Sequence, residues 1–121
     1  MKKLLLSLIA VVACLQVAVA QQAACSPFLG YWKSDQTSVA IVVYEDINGN
    51  CQIMQWDFNG NEVIVVSNLK VGEEGLRFDS YTPSTDFKVT SVCTLVGNNN
   101  MREVITNPNG VFTVDWERAT R

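Results

Sequence analysis

The segment SVAIVVYEDINGNCQIMQWDFNGNEVIVV, residues 38–66, holds three β-type runs separated by two Asn-Gly turns. Ser38 to Tyr44 is rich in β-branched residues and stops at Glu45-Asp46, and the following Asn48-Gly49 is the strongest short hairpin signal. Gln52 to Phe58 alternates strictly, with Met54, Trp56 and Phe58 on one face and Ile53, Gln55 and Asp57 on the other. Alternation of this kind means one buried face, and side-chain size assigns the inward face to Met54, Trp56 and Phe58. Asn59-Gly60 turns the chain again, and Glu62 to Val71 forms the next run, closed by Gly72-Glu73-Glu74-Gly75.

Outward from this segment the pattern continues. Leu76 to Tyr81 ends before Pro83, which cannot donate to a central ladder. Phe87 to Val96 sets Phe87, Val89, Cys93 and Leu95 against Lys88, Thr90 and Thr94. Arg102 to Thr106 and Val111 to Arg118 flank Asn107-Pro108-Asn109-Gly110, and the last run places Phe112, Val114 and Trp116 opposite Thr113, Asp115 and Glu117. No amphipathic helix of ordinary length interrupts the series. The sequence therefore predicts an all-β fold, an antiparallel up-and-down meander of about eight short strands closing into a small barrel. A small β-sandwich is the alternative, but it needs longer crossovers than the one extended loop, Tyr81 to Asp86.

An eight-stranded barrel is just wide enough to be filled by side chains or to hold one small ligand. Met54, Trp56, Phe58, Phe87, Val89, Phe112, Val114 and Trp116 are the expected inward residues. With Phe78, the aromatic members and Met54 form the candidate ligand-binding set. So many large side chains fit a packed core as well as a pocket for an apolar or flat ligand.

Lys2-Lys3, the apolar run Leu4 to Leu15 and Ala18-Val19-Ala20 have the three-part layout of a secretory signal peptide, with cleavage expected after Ala20. The run is shorter than the roughly 20 apolar residues that span a bilayer. Val11-Val12-Ala13-Cys14 also fits a lipoprotein cleavage box, which would anchor the chain to a membrane through Cys14. The expected organisation is residues 1–20 signal peptide, 21–28 an N-terminal segment and 29–121 one barrel domain, exported to the periplasm or extracellular space. Cys25, Cys51 and Cys93 then meet an oxidising compartment and are the disulfide candidates. Three is odd, so one thiol is left over, either buried or open to a second chain in a disulfide-linked dimer.

Without Lys2 and Lys3 the nine basic residues become seven against twelve acidic ones, a net charge of −5. Lys33, Lys70, Arg77, Lys88, Arg102 and Arg118 are scattered singly, which argues against a nucleic-acid partner. There is no histidine, so the commonest general base, the usual activator of Ser or Cys and the commonest zinc ligand are all missing. No nucleophile elbow or phosphate-cradling glycine loop occurs, and the pairs Asp115/Glu117 and Glu73/Glu74 read as solvated carboxylates. Neither a catalytic residue nor a cofactor is expected. Asp46-Ile47-Asn48-Gly49-Asn50 and Asp57-Phe58-Asn59-Gly60-Asn61 repeat a pattern that invites a calcium reading. Successive hairpin turns lie at opposite ends of a meander, however, so the two cannot pool ligands. Each is read as turn chemistry and no metal is expected.

Phe28-Leu29-Gly30-Tyr31-Trp32-Lys33 resembles the Gly-x-Trp opening strand of the calycins, the lipocalins and fatty-acid-binding proteins, and Trp116-Glu117-Arg118 falls where those families carry a late arginine. Thr85-Asp86-Phe87 is similar to the lipocalin Thr-Asp-Tyr motif. The resemblance implies a barrel in which Gly30, Trp32 and Arg118 are structural, Arg118 stacking across Trp32 at the closed end. The chain departs from the pattern in lacking both the lipocalin C-terminal helix and the helical lid of fatty-acid-binding proteins. Two functions follow as expectations: a carrier of a small apolar or aromatic ligand, or a ligand-free interaction or inhibitor module that offers its loops or outer face to a protein partner. A self-associating structural role is a third.

Overall fold

The computed structural model describes residues 25–119, so the expected signal peptide, its cleavage site and Cys14 lie outside the described residues. A short 3-10 turn, Ser26–Phe28, leads into eight strands: β1 Gly30–Lys33, β2 Val39–Glu45, β3 Cys51–Asp57, β4 Glu62–Gly72, β5 Gly75–Thr82, β6 Phe87–Leu95, β7 Asn100–Asn107 and β8 Gly110–Ala119. Each strand pairs antiparallel with the next, and β8 returns to β1 to close the barrel. The closing ladder matches Trp32 with Arg118 and Lys33 with Glu117, which leaves no open edge and disposes of the sandwich.

Turn chemistry explains the tight connections. Asp46 Oδ1 accepts from the amides of Asn48 and Asn50, and Gly49 takes the left-handed conformation (φ 79°) that the chain needs to re-enter β3. In the next turn Asp57 Oδ1 accepts from Ser38 Oγ and the amides of Asn59 and Gly60. There the left-handed residue is Asn61 (φ 51°) rather than the glycine. These bonds to the charged form hold both aspartates below the ordinary carboxylate range, Asp46 chiefly through Asn50 and Asp57 chiefly through Ser38. A bulge between Ser67 and Lys70, with Asn68 left-handed (φ 55°), shifts the β4–β5 register. Asn68 Nδ2 donates to Asp79 across it, and Thr90 Oγ1 donates to the same carboxylate from β6.

The inward face is set by one continuous row, in which Trp32 lies opposite Ile41, Ile41 opposite Gln55 and Gln55 opposite Ile64. Because the pleat has period two, this row decides every other position. It corrects the reading of β3. Ile53 and Gln55 are buried, whereas Met54 is 47% exposed and Phe58, in the turn beyond, 61% exposed. Trp56 stands on the outer face between Ala40 and Val63, and Ala40 is buried although it faces outward. Size misassigned the face because Gln55 is acceptable inside. Its Oε1 accepts from Ser80 Oγ at 2.8 Å, which removes the penalty for burying the amide oxygen.

One end of the barrel is packed solid. Phe28, Trp32, Ile41, Val43, Ile53, Leu76, Phe78, Cys93, Met101 and Trp116 form a single buried cluster there with Cys25. The 3-10 turn caps this end, tied to β3 by the Cys25–Cys51 disulfide. Trp32 Nε1 donates to Phe28 O at 2.8 Å. The Arg118 guanidinium stacks 4.4 Å from the Trp32 ring and donates to the carbonyls of Leu29, Pro27 and Asn98. Gly30 makes room for it, since a Cβ there would meet Arg118 Nη1 at 2.8 Å. Cys93 is the unpaired thiol and is buried in this cluster, so a bond to a second chain would require its sulfur to leave the core.

Outer faces differ around the barrel. β5 to β8 carry Arg77, Asp79, Lys88, Arg102, Asp115 and Glu117 outward, with Arg102 paired to Asp115 at 3.0 Å. These charges interrupt the continuous apolar belt that a membrane-spanning barrel presents to lipid.

Candidate ligand-binding site

The other end of the barrel is hollow. The connections 34–38, 58–61, 83–86 and 108–109 gather around its mouth, while 46–50, 73–74 and 96–99 lie at the capped end. Between the mouth and the packed cluster is a cavity of about 440 Å³. Its apolar wall comes from alternate positions on five strands: Val39, Ile64, Val89, Ile105, Phe112 and Val114. Phe87 joins them at the rim, 40% exposed, opposite Thr82.

The floor is polar. Gln55, Ser80, Ser91, Glu103 and the Trp116 indole meet there, each delivered by the inward half of its strand's alternation. Trp116 Nε1 donates to Glu103 Oε1 at 3.0 Å, and Ser80 Oγ to Gln55 Oε1 at 2.8 Å. Glu103 is only 2% exposed. Burial raises its carboxyl above the ordinary range, and the Ser91 hydroxyl and Trp116 N–H offset part of that rise. Ser91 is close enough to act on the carboxyl but lacks hydrogen-bond geometry, and its Oγ is the one fully buried side-chain oxygen without a partner among the described residues. Burial, with Glu103 adding to it, also pushes the Cys93 thiol far above its usual range, so it stays protonated and unreactive.

Of the residues named from the sequence, Phe87, Phe112 and Trp116 line this cavity together with Val89 and Val114. Met54, Trp56 and Phe58 are outside the barrel, and Phe78 lies fully buried in the closed-end cluster, so none of the four lines it. No family model, curated protein or solved structure matches the chain. What the structure establishes is an eight-stranded antiparallel up-and-down meander closed into a barrel.

Of the floor, the sequence pointed only to Trp116. Met101, Glu103 and Ile105 alternate with Arg102, Val104 and Thr106, which places a carboxylate between two apolar residues on one strand face. That placement was the available signal. Gln55 and Ser80 carried no comparable mark, since both look like ordinary solvent-facing residues.

Two further clusters have structural explanations. The Asp46 and Asp57 turns sit at opposite ends of the barrel, and their carboxylates are taken up by their own turn amides and by the Gln52 and Ser38 side chains. Among the described residues no three acidic or sulfur side chains converge as a metal site would require.

Proposed function

We propose that this protein is an exported, calycin-like binding protein that holds a small, largely apolar ligand in the open half of its barrel. The observation that carries the reading is the cavity itself: about 440 Å³, apolar at the wall, polar at the floor and open at one mouth. Such volumes and linings are typical of small-molecule sites, where a few convergent polar groups orient an otherwise apolar guest. The Gly30, Trp32 and Arg118 arrangement at the capped end supports kinship with the calycins. The Cys25–Cys51 disulfide fits an oxidising compartment and hence export.

Native mass spectrometry of the oxidised protein, as exported, tests this reading. A bound mass lost on denaturation, and absent from an Ile105→Trp variant whose indole fills the cavity, is the expected result. An empty wild-type protein that also takes up no lipid or aromatic compound from a broad panel would contradict it.

The interaction-module alternative draws on a different surface. Met54, Val63 and Val65 are each about half exposed on the outer face of β3 and β4, beside Trp56. On that reading serine at the three positions abolishes capture of a protein partner and leaves the cavity's ligand in place, whereas unchanged capture rejects it.

A further inference from the structure

The chemistry of the ligand's polar group is set by the free hydrogen-bonding groups and by the charge at the floor. Two of its hydrogens are already used: the Trp116 N–H goes to Glu103 Oε1 and the Ser80 O–H to Gln55 Oε1. What remains is mixed, with the two Gln55 Nε2 hydrogens on the donor side and several oxygens on the acceptor side. Glu103 Oε2 has no protein hydrogen bond of good geometry, Ser80 Oγ keeps its lone pairs, and Ser91 Oγ, near the Glu103 carboxyl, is fully buried without a well-formed hydrogen bond. A hydroxyl and a carboxylate oxygen left in this state each cost stability unless a guest satisfies them.

Charge narrows the choice. Glu103 is the one ionisable side chain lining the cavity among the described residues, and neither Lys nor Arg accompanies it. Glutamine at this position would accept the same indole N–H without the cost of a buried acid, so the acid is unexplained by the fold alone. A carboxylate ligand would find no cation to meet it. A neutral alcohol would leave the acid without a countercharge. An ammonium group brings one positive charge for the uncompensated acid and donors for the oxygens around it.

The surroundings agree. The Trp116 indole on the floor and the Phe87 and Phe112 rings toward the mouth are faces against which a cation or an aromatic body packs well. The mouth is also acidic on balance: Asp35, Asp57, Glu62 and Asp86 lie in or beside its connections, against Lys33 beside them. A negative rim around a low-dielectric cleft attracts cations and repels fatty-acid anions.

We propose that the ligand is a protonated primary amine on an apolar or aromatic body, its ammonium group bound by Glu103 and Ser91 at the cavity floor and its body held by the open-half wall. This proposal rests on the ligand-binding reading above, and three probes of one shape separate the two. Naphthylethylamine, naphthylethanol and naphthylacetate are titrated calorimetrically into the oxidised protein. The amine is expected to bind about tenfold or more tighter than the alcohol, as a charge-assisted hydrogen bond provides, with the carboxylate weakest. Glu103→Gln, which keeps an acceptor for Trp116, should bring the amine-to-alcohol ratio to within about threefold. The wild-type ratio reads the proposal even if that variant folds poorly. Equal binding of amine and alcohol, or a preference for the carboxylate, overturns the amine assignment while leaving the cavity as a binding site. Binding of none of the three overturns the amine assignment, and the mass-spectrometric test and broad panel above then decide separately whether the cavity is a binding site.

Discussion

At the capped end Trp32, Leu76, Phe78 and Met101 have essentially no exposure, whereas at the mouth Phe87 and Phe112 stand 40% and 52% exposed although they point into the same barrel. Both sets obey the same alternation along their strands. What differs is the cover. The 3-10 turn Ser26–Phe28 lies across one end, fastened by a disulfide, an indole hydrogen bond and Arg118, while the other end has only short turns that cannot fold back over the opening. Inward direction and burial are therefore separate properties of a barrel residue. The first follows from the pleat, and the second depends on a segment outside the strands.

The largest expected effect comes from removing the centre of the packed half. Trp32→Ala should cost about 3–5 kcal/mol in denaturant unfolding, since it opens a cavity and strips Arg118 of its stacking partner. A loss below about 1 kcal/mol would show that this end is not the core. Next, Cys51→Ser frees the cap. The bridge closes a loop with a sequence separation of 26, so its loss should cost about 2–4 kcal/mol and increase exchange of the Phe28–Trp32 amides. An unchanged midpoint under oxidising conditions would mean the cap stays docked without its tether.

Glu103 gives a smaller effect with a defined sign. Its folded carboxyl holds its proton more tightly than the unfolded one, so its contribution to stability is greatest at low pH and declines as pH rises from the ordinary carboxylate range through the raised folded value. Glu103→Gln removes that decline. The variant should be more stable than wild type at neutral pH, by about 1.4 kcal/mol for each unit of the shift, and the advantage should vanish in acid. A wild-type advantage at neutral pH would show that the carboxylate is stabilising in the free protein. The smallest effect is Phe112→Ala at the half-open rim, about 1 kcal/mol or less, with a larger loss in ligand affinity than in stability. A stability loss comparable to that of Trp32→Ala would erase the distinction between the halves.

Most of the strand plan was legible in the sequence, because Asn-Gly turns, Pro83 and β-branched runs are local signals. Observed strand ends such as Phe87–Leu95 fall within a residue or two of the runs read from the chain. The Trp32–Arg118 contact came through resemblance and is present. Facing was legible only where one face was clearly polar, as in β6 and β8. In β3 both faces carried apolar residues, and the decision lay with Ile41 and Ile64 on neighbouring strands, information that a single run does not contain. The cavity floor was hidden for a related reason. Gln55, Ser80, Ser91 and Glu103 come from four strands, and their polar side chains gain meaning only after the ladders bring them together.

The most direct test of a packed half and a hollow half is methyl NMR of the oxidised protein with and without saturating naphthylethylamine. Shifts concentrated at Val89, Ile105 and Val114, with Leu76, Val43 and the outer Val63 and Val65 unmoved, are the predicted result. Shifts centred on Val63 and Val65, or no shifts at all, would contradict a ligand chamber in the open half of the barrel.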